Sequence, residues 1–223
     1  MVVRIFFLVS ILTGTLLPKY SYAQIDDIGI WTGISIQKQF TRKVEGSLTE
    51  QLRLNHDAST INLLLTDVGV EYAISKKFKA GIHYRFINAN QVTYYSKRHR
   101  FYADLSFKEK IKTVSFTIRE RIQEQFYDYY SSETGKIPYW TLRSKLTIKI
   151  DLKKKITPYL SGEIYYQIDN PKQLQGITRF RYEAGINYDI NRVHSLNPFL
   201  LYQKAVPVDF IQFVYGLMYA YSF

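Results

Sequence analysis

Apolar and polar residues alternate strictly, segment after segment, along nearly all of this 223-residue chain. In 78–88, Phe78, Ala80, Ile82, Tyr84 and Phe86 alternate with Lys79, Gly81, His83 and Arg85. In 140–150, Trp140, Leu142, Leu146, Ile148 and Ile150 alternate with Thr141, Arg143, Lys145, Thr147 and Lys149. In 180–189, Phe180, Tyr182, Ala184, Ile186 and Tyr188 do so with Arg181, Glu183, Gly185, Asn187 and Asp189. A period of two puts each set on its own face of a sheet. The pattern predicts strands at 29–40, 44–55, 62–74, 78–88, 98–107, 112–125, 139–150, 156–168, 177–189, 196–204 and 210–223, and no helix beyond the N-terminal segment.

The connections alternate between two kinds. Short basic ones ("TRK" at 41–43, "SKK" at 75–77, "KEKIK" at 108–112, "LKKK" at 152–155, "NRVHS" at 191–195) take turns with longer ones rich in Tyr, Ser, Asn and Asp (88–98, 127–138, 169–176). The repeating unit is a hairpin of about 35 residues, the connectivity of an up-and-down meander.

The start reads differently. Arg4, the apolar run 5–17 and the small-x-small site Ser21-Tyr22-Ala23 have the order of a secretory signal peptide, so residues 1–23 are expected to be removed and 24–223 to form one domain. The chain has no Cys, which excludes disulfides and thiolate metal sites. Charge is strongly positive, with 30 Lys and Arg against 19 Asp and Glu.

Strands of this length suit a tilted crossing of a bilayer better than a soluble sandwich. Their apolar faces are rich in Tyr and Phe, as a lipid-facing band should be, and a sheet in lipid must close on itself. The expectation is an all-β, antiparallel, up-and-down transmembrane barrel of about 12 strands (10–12), in the outer membrane of a Gram-negative bacterium. Eleven strands are counted, against the even number usual for this class. The ending "FVYGLMYAYSF" (213–223) resembles the C-terminal signature of bacterial outer-membrane barrels. That resemblance implies that Tyr219, Tyr221 and Phe223 are read by the barrel assembly machinery.

Three further stretches, "IWTGISIQKQFTRKVEGSLTEQLRLN", "TDVGVEYAISKKFKAGIHYRF" and the terminal strand, resemble the uncharacterised outer-membrane β-barrel family of Bacteroidota designated domain of unknown function twenty-four ninety. The similarity spans nearly all of the chain after the leader. It implies a barrel and no known activity, so no residue role is carried over.

The polar face is then the lumen. It holds Arg53, Lys79, Arg85, Arg100, Arg119, Arg121, Arg143, Lys145, Lys149, Arg179 and Arg181, against Glu45, Asp67, Glu71, Asp104, Glu163 and Glu183. Turns centred near 76 and 153 set Asp67 opposite Arg85 and Glu163 opposite Arg143, pairs that would stabilise a packed lumen. With the short basic turns on the periplasmic side, Arg53, Arg100, Arg119, Arg121, Arg179 and Arg181 form a belt near the outer mouth. Guanidinium forks there suit carboxylate or phosphate. In the plainer reading the arginines only solvate a plugged barrel and pair with loop acids such as Asp128 and Glu133. Glu50, Glu120 and Glu124 fall on the lipid face, a conflict that a β-bulge or a protein contact would relieve.

Signs of catalysis are thin. His99 sits on the apolar face near the outer rim, with Ser96, Ser131 and Ser132 nearby, but no third member is arranged. His83 faces the lumen beside Lys79 and Arg85. No phosphate loop, metal-ligand spacing or nucleic-acid module is present, and no cofactor is expected. The reading is a barrel without intrinsic catalysis that serves as a narrow basic-lined conduit or binding site for small anions. A non-conducting structural or assembly barrel is the alternative, and an outer-membrane lipid hydrolase comes third. Expected partners are outer-membrane lipid, the assembly machinery and a small anionic solute, with no nucleic acid.

Overall fold

The computed structural model describes residues 26–223 except 131, 153 and 170–174, so the expected leader and its cleavage site lie outside the described residues. Eleven strands follow in order: β1 (Asp27–Gln39), β2 (Val44–Asn55), β3 (Thr60–Ala73), β4 (Phe78–Asn90), β5 (Tyr95–Ile111), β6 (Val114–Phe126), β7 (Tyr139–Ile150), β8 (Ile156–Asp169), β9 (Gly176–Asp189), β10 (His194–Ala205) and β11 (Phe210–Ser222). A single 3-10 turn, Thr134–Lys136, interrupts the loop before β7. Among the described residues there is no α-helix.

Each strand pairs with its chain neighbours, and the sheet closes. The barrel has the 11 strands counted in the sequence, within the expected 10–12 though not the even 12. Closure corrects the all-antiparallel expectation, since the seam is parallel: β1 runs alongside β11 from Asp27 opposite Gln212 to Gln37 opposite Ser222. Eleven strands make ten antiparallel steps, an even number, which returns the last strand to the direction of the first, so no other seam was open to it. The described chain therefore starts at one mouth and ends at the other. Phe223 fastens the far end, donating its N–H to Gln37 O (3.0 Å) and accepting from Gln39 N–H (3.1 Å).

Two connections are shorter than expected because the ladder continues into them. Asn90 pairs with Tyr95 and Ile111 with Val114, so most of "NANQVTYYSKR" and "KEKIK" is strand. The mouth that collects the connections after β2, β4, β6, β8 and β10 is called here the loop mouth, and the opposite one the turn mouth.

Outward positions form an apolar band: Ile34, Val68, Ile82, Phe101, Ile118, Leu146, Leu160, Tyr182, Leu200 and Leu217 are all exposed. Burying that band in hydrocarbon requires every backbone group to be paired within the sheet, which closure supplies. Glu50, Glu120 and Glu124 do lie on this outer face. The register shifts fall at Arg53/Leu54, Trp140/Thr141 and Tyr165/Tyr166, and none of them turns these carboxylates inward. The bulge expected to relieve them is absent; Glu120 instead accepts from the Ser144 hydroxyl at 2.6 Å.

The interior is packed with side chains, and two inward glycines make room for rings. A Cβ on Gly216 would stand 2.0 Å from the Phe199 ring, and one on Gly69 would stand 1.9 Å from His83 Nδ1. Trp31, Tyr159, Phe199, Leu201 and Val214 form one buried cluster against the seam, and Leu65, Ile87 and Ala89 form another.

Candidate functional site

Alternation carries all nine strand arginines inward: Arg53, Arg85, Arg98, Arg100, Arg119, Arg121, Arg143, Arg179 and Arg181. Four inward carboxylates stand among them, Asp27, Asp67, Asp104 and Glu163. Every Asp and Glu of the sequence lies within the described residues. Nearer the turn mouth the inward charges balance, with Lys79, Lys108, Lys110, Lys145 and Lys149 set against Glu45, Glu71, Asp151, Glu183 and Asp189. Lys79 lies 3.3 Å from Glu71, and Lys145 lies 3.6 Å from Glu183. The positive surplus is thus confined to the arginines.

The middle of the lumen is closed by ion pairs and rings. Asp67 accepts from Arg85 Nε at 2.6 Å and from the Tyr102 hydroxyl at 2.6 Å. His83 lies 3.4 Å from the same carboxylate and stacks on Tyr102. Arg121 grips Asp104 with two bonds of 2.6 Å. Glu163 takes bonds from Arg119 (2.6 Å) and from two nitrogens of Arg143 (3.0 and 2.8 Å). Here the register differs from the expectation: Arg143 stands opposite Tyr165, and Lys145 opposite Glu163. The long guanidinium reaches Glu163 along the diagonal, a distance such side chains span. Arg100 donates to Gln125 Oε1.

Above this layer, at the loop mouth, lies a cavity of about 270 Å³. Its wall includes Arg53, Arg98, Arg179 and Arg181, the Trp31 ring, Asn55, Asn62, Gln203 and Gln212, and one carboxylate, Asp27. The register shifts beside Arg53 and beside Tyr165, which faces Arg179, re-aim the strands here. Arg53 lies 3.8 Å and Arg181 5.1 Å from the centre of the Trp31 ring. A chain of amides positions the wall. Arg181 donates to Gln203 (2.9 Å), Gln203 to Gln212 (2.5 Å) and Gln212 to Asp27 (2.6 Å). Asp27 also accepts the Asp57 N–H at 3.0 Å, which fixes the left-handed turn at 56–58. Asp27 is therefore spent on the frame. Among the described residues Arg181 Nε is buried with no hydrogen-bond partner, Arg53 donates only to Gln51, and Arg98 to Ser96.

Of the six arginines expected to form a belt, the structure brings Arg53, Arg179 and Arg181 together around the cavity. It sets Arg119 and Arg121 into the ion-paired layer below and Arg100 against Gln125. Sequence reasoning missed Arg98, Trp31 and Asp27 as lining residues. Arg98 keeps the same parity as Arg100 and opens the expected strand 98–107, so alternation alone would have found it. Of the loop acids, Glu133 pairs with Lys136 rather than with the lumen.

On the outer wall His99 Nδ1 lies 2.7 Å from the Tyr84 hydroxyl, with the Tyr129 and Tyr130 rings against it. Its Nε2 is buried and has no hydrogen-bond partner among the described residues. Ser96 points inward, and the Ser132 hydroxyl accepts the Gly135 N–H. Ser131 lies outside the described residues. Among the described residues no group of His, Asp and Glu is placed to hold a metal ion.

Residues 28–206 match the model of a family described as "Protein of unknown function (DUF2490)". No curated protein matches the chain. Among solved structures, LpxR from Salmonella typhimurium is similar at 7% identity and a TM-score of 0.51, covering 80% of this chain and 83% of that one. The β domain of the Bordetella autotransporter BrkA matches at 9% identity and a TM-score of 0.45, over 79% and 82% of the two chains. The likeness to LpxR is one of fold, that of an outer-membrane-type barrel. The expectation of a barrel without intrinsic catalysis, drawn from the thin signs of catalysis in the sequence, is overturned by this neighbour, since LpxR is an enzyme.

Proposed function

The chain belongs to the family described as protein of unknown function (DUF2490), and from that premise we propose that it is an outer-membrane barrel that binds a small anion in the arginine-lined cup at its loop mouth. One observation carries this reading: four guanidinium groups line a cavity whose only carboxylate already holds Gln212 and the 56–58 turn. Guanidinium forks present paired donors that match carboxylate and phosphate oxygens, and low-dielectric walls strengthen their field. The packed layer beneath argues for a closed cup rather than a through-conduit. The cup opens toward the cell exterior if the short turns face the periplasm, as in barrels of this class.

Trp31 supplies the test. In a Trp140→Phe background it is the remaining tryptophan. Titrating the purified barrel with small anions at constant ionic strength should change its emission saturably, and Arg53→Gln with Arg179→Gln should abolish the response. Indifference of Trp31 to every anion tried would overturn the reading.

A second reading, lipid hydrolysis on the outer wall, is favoured by the partnerless Nε2 of His99 beside Tyr84 and by the fold shared with LpxR. Release of fatty acid from membranes by the wild-type protein, lost in His99→Ala, would support it. Equal release by the two proteins would remove it.

A further inference from the structure

The cup's charge selects among anions. Resting on the reading of the cup as an anion site, we propose that its ligand is multivalent and phosphate-like, a phosphate monoester or a pyrophosphate group, rather than a monocarboxylate. The nine inward arginines exceed the four carboxylates among them by five charges. Uncompensated charge in a lumen walled by sheet and lipid is costly. The inward lysines nearer the turn mouth show the ordinary solution, since they are matched in number by carboxylates, with Lys79, Lys110 and Lys145 directly paired. The arginine end lacks that solution, and a bound counter-charge would provide it.

Geometry narrows the choice. Among the described residues Arg100 has only the neutral Gln125 as its hydrogen-bond partner, and it faces Arg85 across the β4–β5 ladder. Arg181 offers a buried, unpartnered Nε, and Arg179 rests against the Tyr165 ring at 5.6 Å. A single negative charge would leave most of this surplus standing. Two to four charges on one compact group would remove much of it, and tetrahedral oxygens can take several forks at once. A cavity of about 270 Å³ admits such a group with a small substituent.

The test uses full-length protein in detergent and in vesicles, read by Trp31 emission in the Trp140→Phe variant at matched ionic strength. Pyrophosphate and inorganic phosphate should bind at least tenfold more tightly than acetate or chloride. Arg98→Gln with Arg179→Gln should weaken pyrophosphate at least tenfold and acetate far less. Acetate binding as tightly as pyrophosphate would overturn the inference while leaving the anion cup intact. No response to any anion would remove both. Competition separates the sources. If phosphatidic acid in the vesicle displaces pyrophosphate, the phosphate is borne by a lipid headgroup; if it does not, the ligand is a free solute. Either result keeps the multivalent class.

Discussion

The Arg53 guanidinium carbon lies 3.8 Å from the centre of the Trp31 ring, joining the first two strands of the barrel in the wall of the cup. Trp31 is itself buried against Leu201 and Val214 of the closing strands. The stack therefore couples the cup to the seam. In the Trp140→Phe background, Arg53→Ala should expose the indole face and shift its emission to the red. An unchanged spectrum would mean the stack does not persist in solution.

Glu163 is the hub of the closed layer, holding Arg119 and Arg143 and standing 3.9 Å from Arg181. Replacing it with Gln leaves buried guanidinium groups without a counter-charge, which typically costs about 3–5 kcal/mol. The denaturant midpoint of the barrel in lipid should fall accordingly. A loss under about 1 kcal/mol would show that water or a bound anion already screens the layer.

The outer face carries a carboxylate that lipid does not favour. Glu120 sits at the middle of β6, bonded only to Ser144 among the described residues. Glu120→Leu combined with Ser144→Ala should stabilise the barrel in vesicles by about 1 kcal/mol, the scale of an acidic side chain on a lipid-facing wall. Destabilisation by the pair would assign Glu120 a structural role.

Gly216 leaves room for the Phe199 ring, so Gly216→Ala forces that ring or the β10–β11 hairpin to move. Overpacking of this kind costs about 1–3 kcal/mol. Adding Phe199→Leu should restore much of it. Without rescue, the loss would have to come from the backbone and not from the ring.

The last residue closes the turn-mouth end of the parallel seam through two backbone bonds to β1. Deleting Phe223 should lower the yield of heat-modifiable barrel in outer membranes without changing the unfolding of what does assemble. Tags within 127–138 on intact cells should react with surface antibodies, and tags at 154–155 should not. Reverse labelling would place the cup on the periplasmic side.

What the sequence determined by itself was local. A period of two assigned each side chain to lumen or lipid, because a strand leaves only two directions open. Short turns then placed Asp67 across from Arg85, eighteen residues away, where the two are bonded. Tertiary structure alone decided the rest. Strand parity made the seam parallel, because closure is a property of the whole sheet and not of any hairpin. Closure also brought Trp31 and Arg53 of the first strands beside Arg179 and Arg181 of the ninth, so the cup exists only once β1 meets β11. Side-chain reach settled the final partners: the Arg143 guanidinium rests over the ring of its direct neighbour Tyr165 and spends its hydrogen bonds on Glu163 along the diagonal, because a carboxylate compensates its charge and a phenol does not.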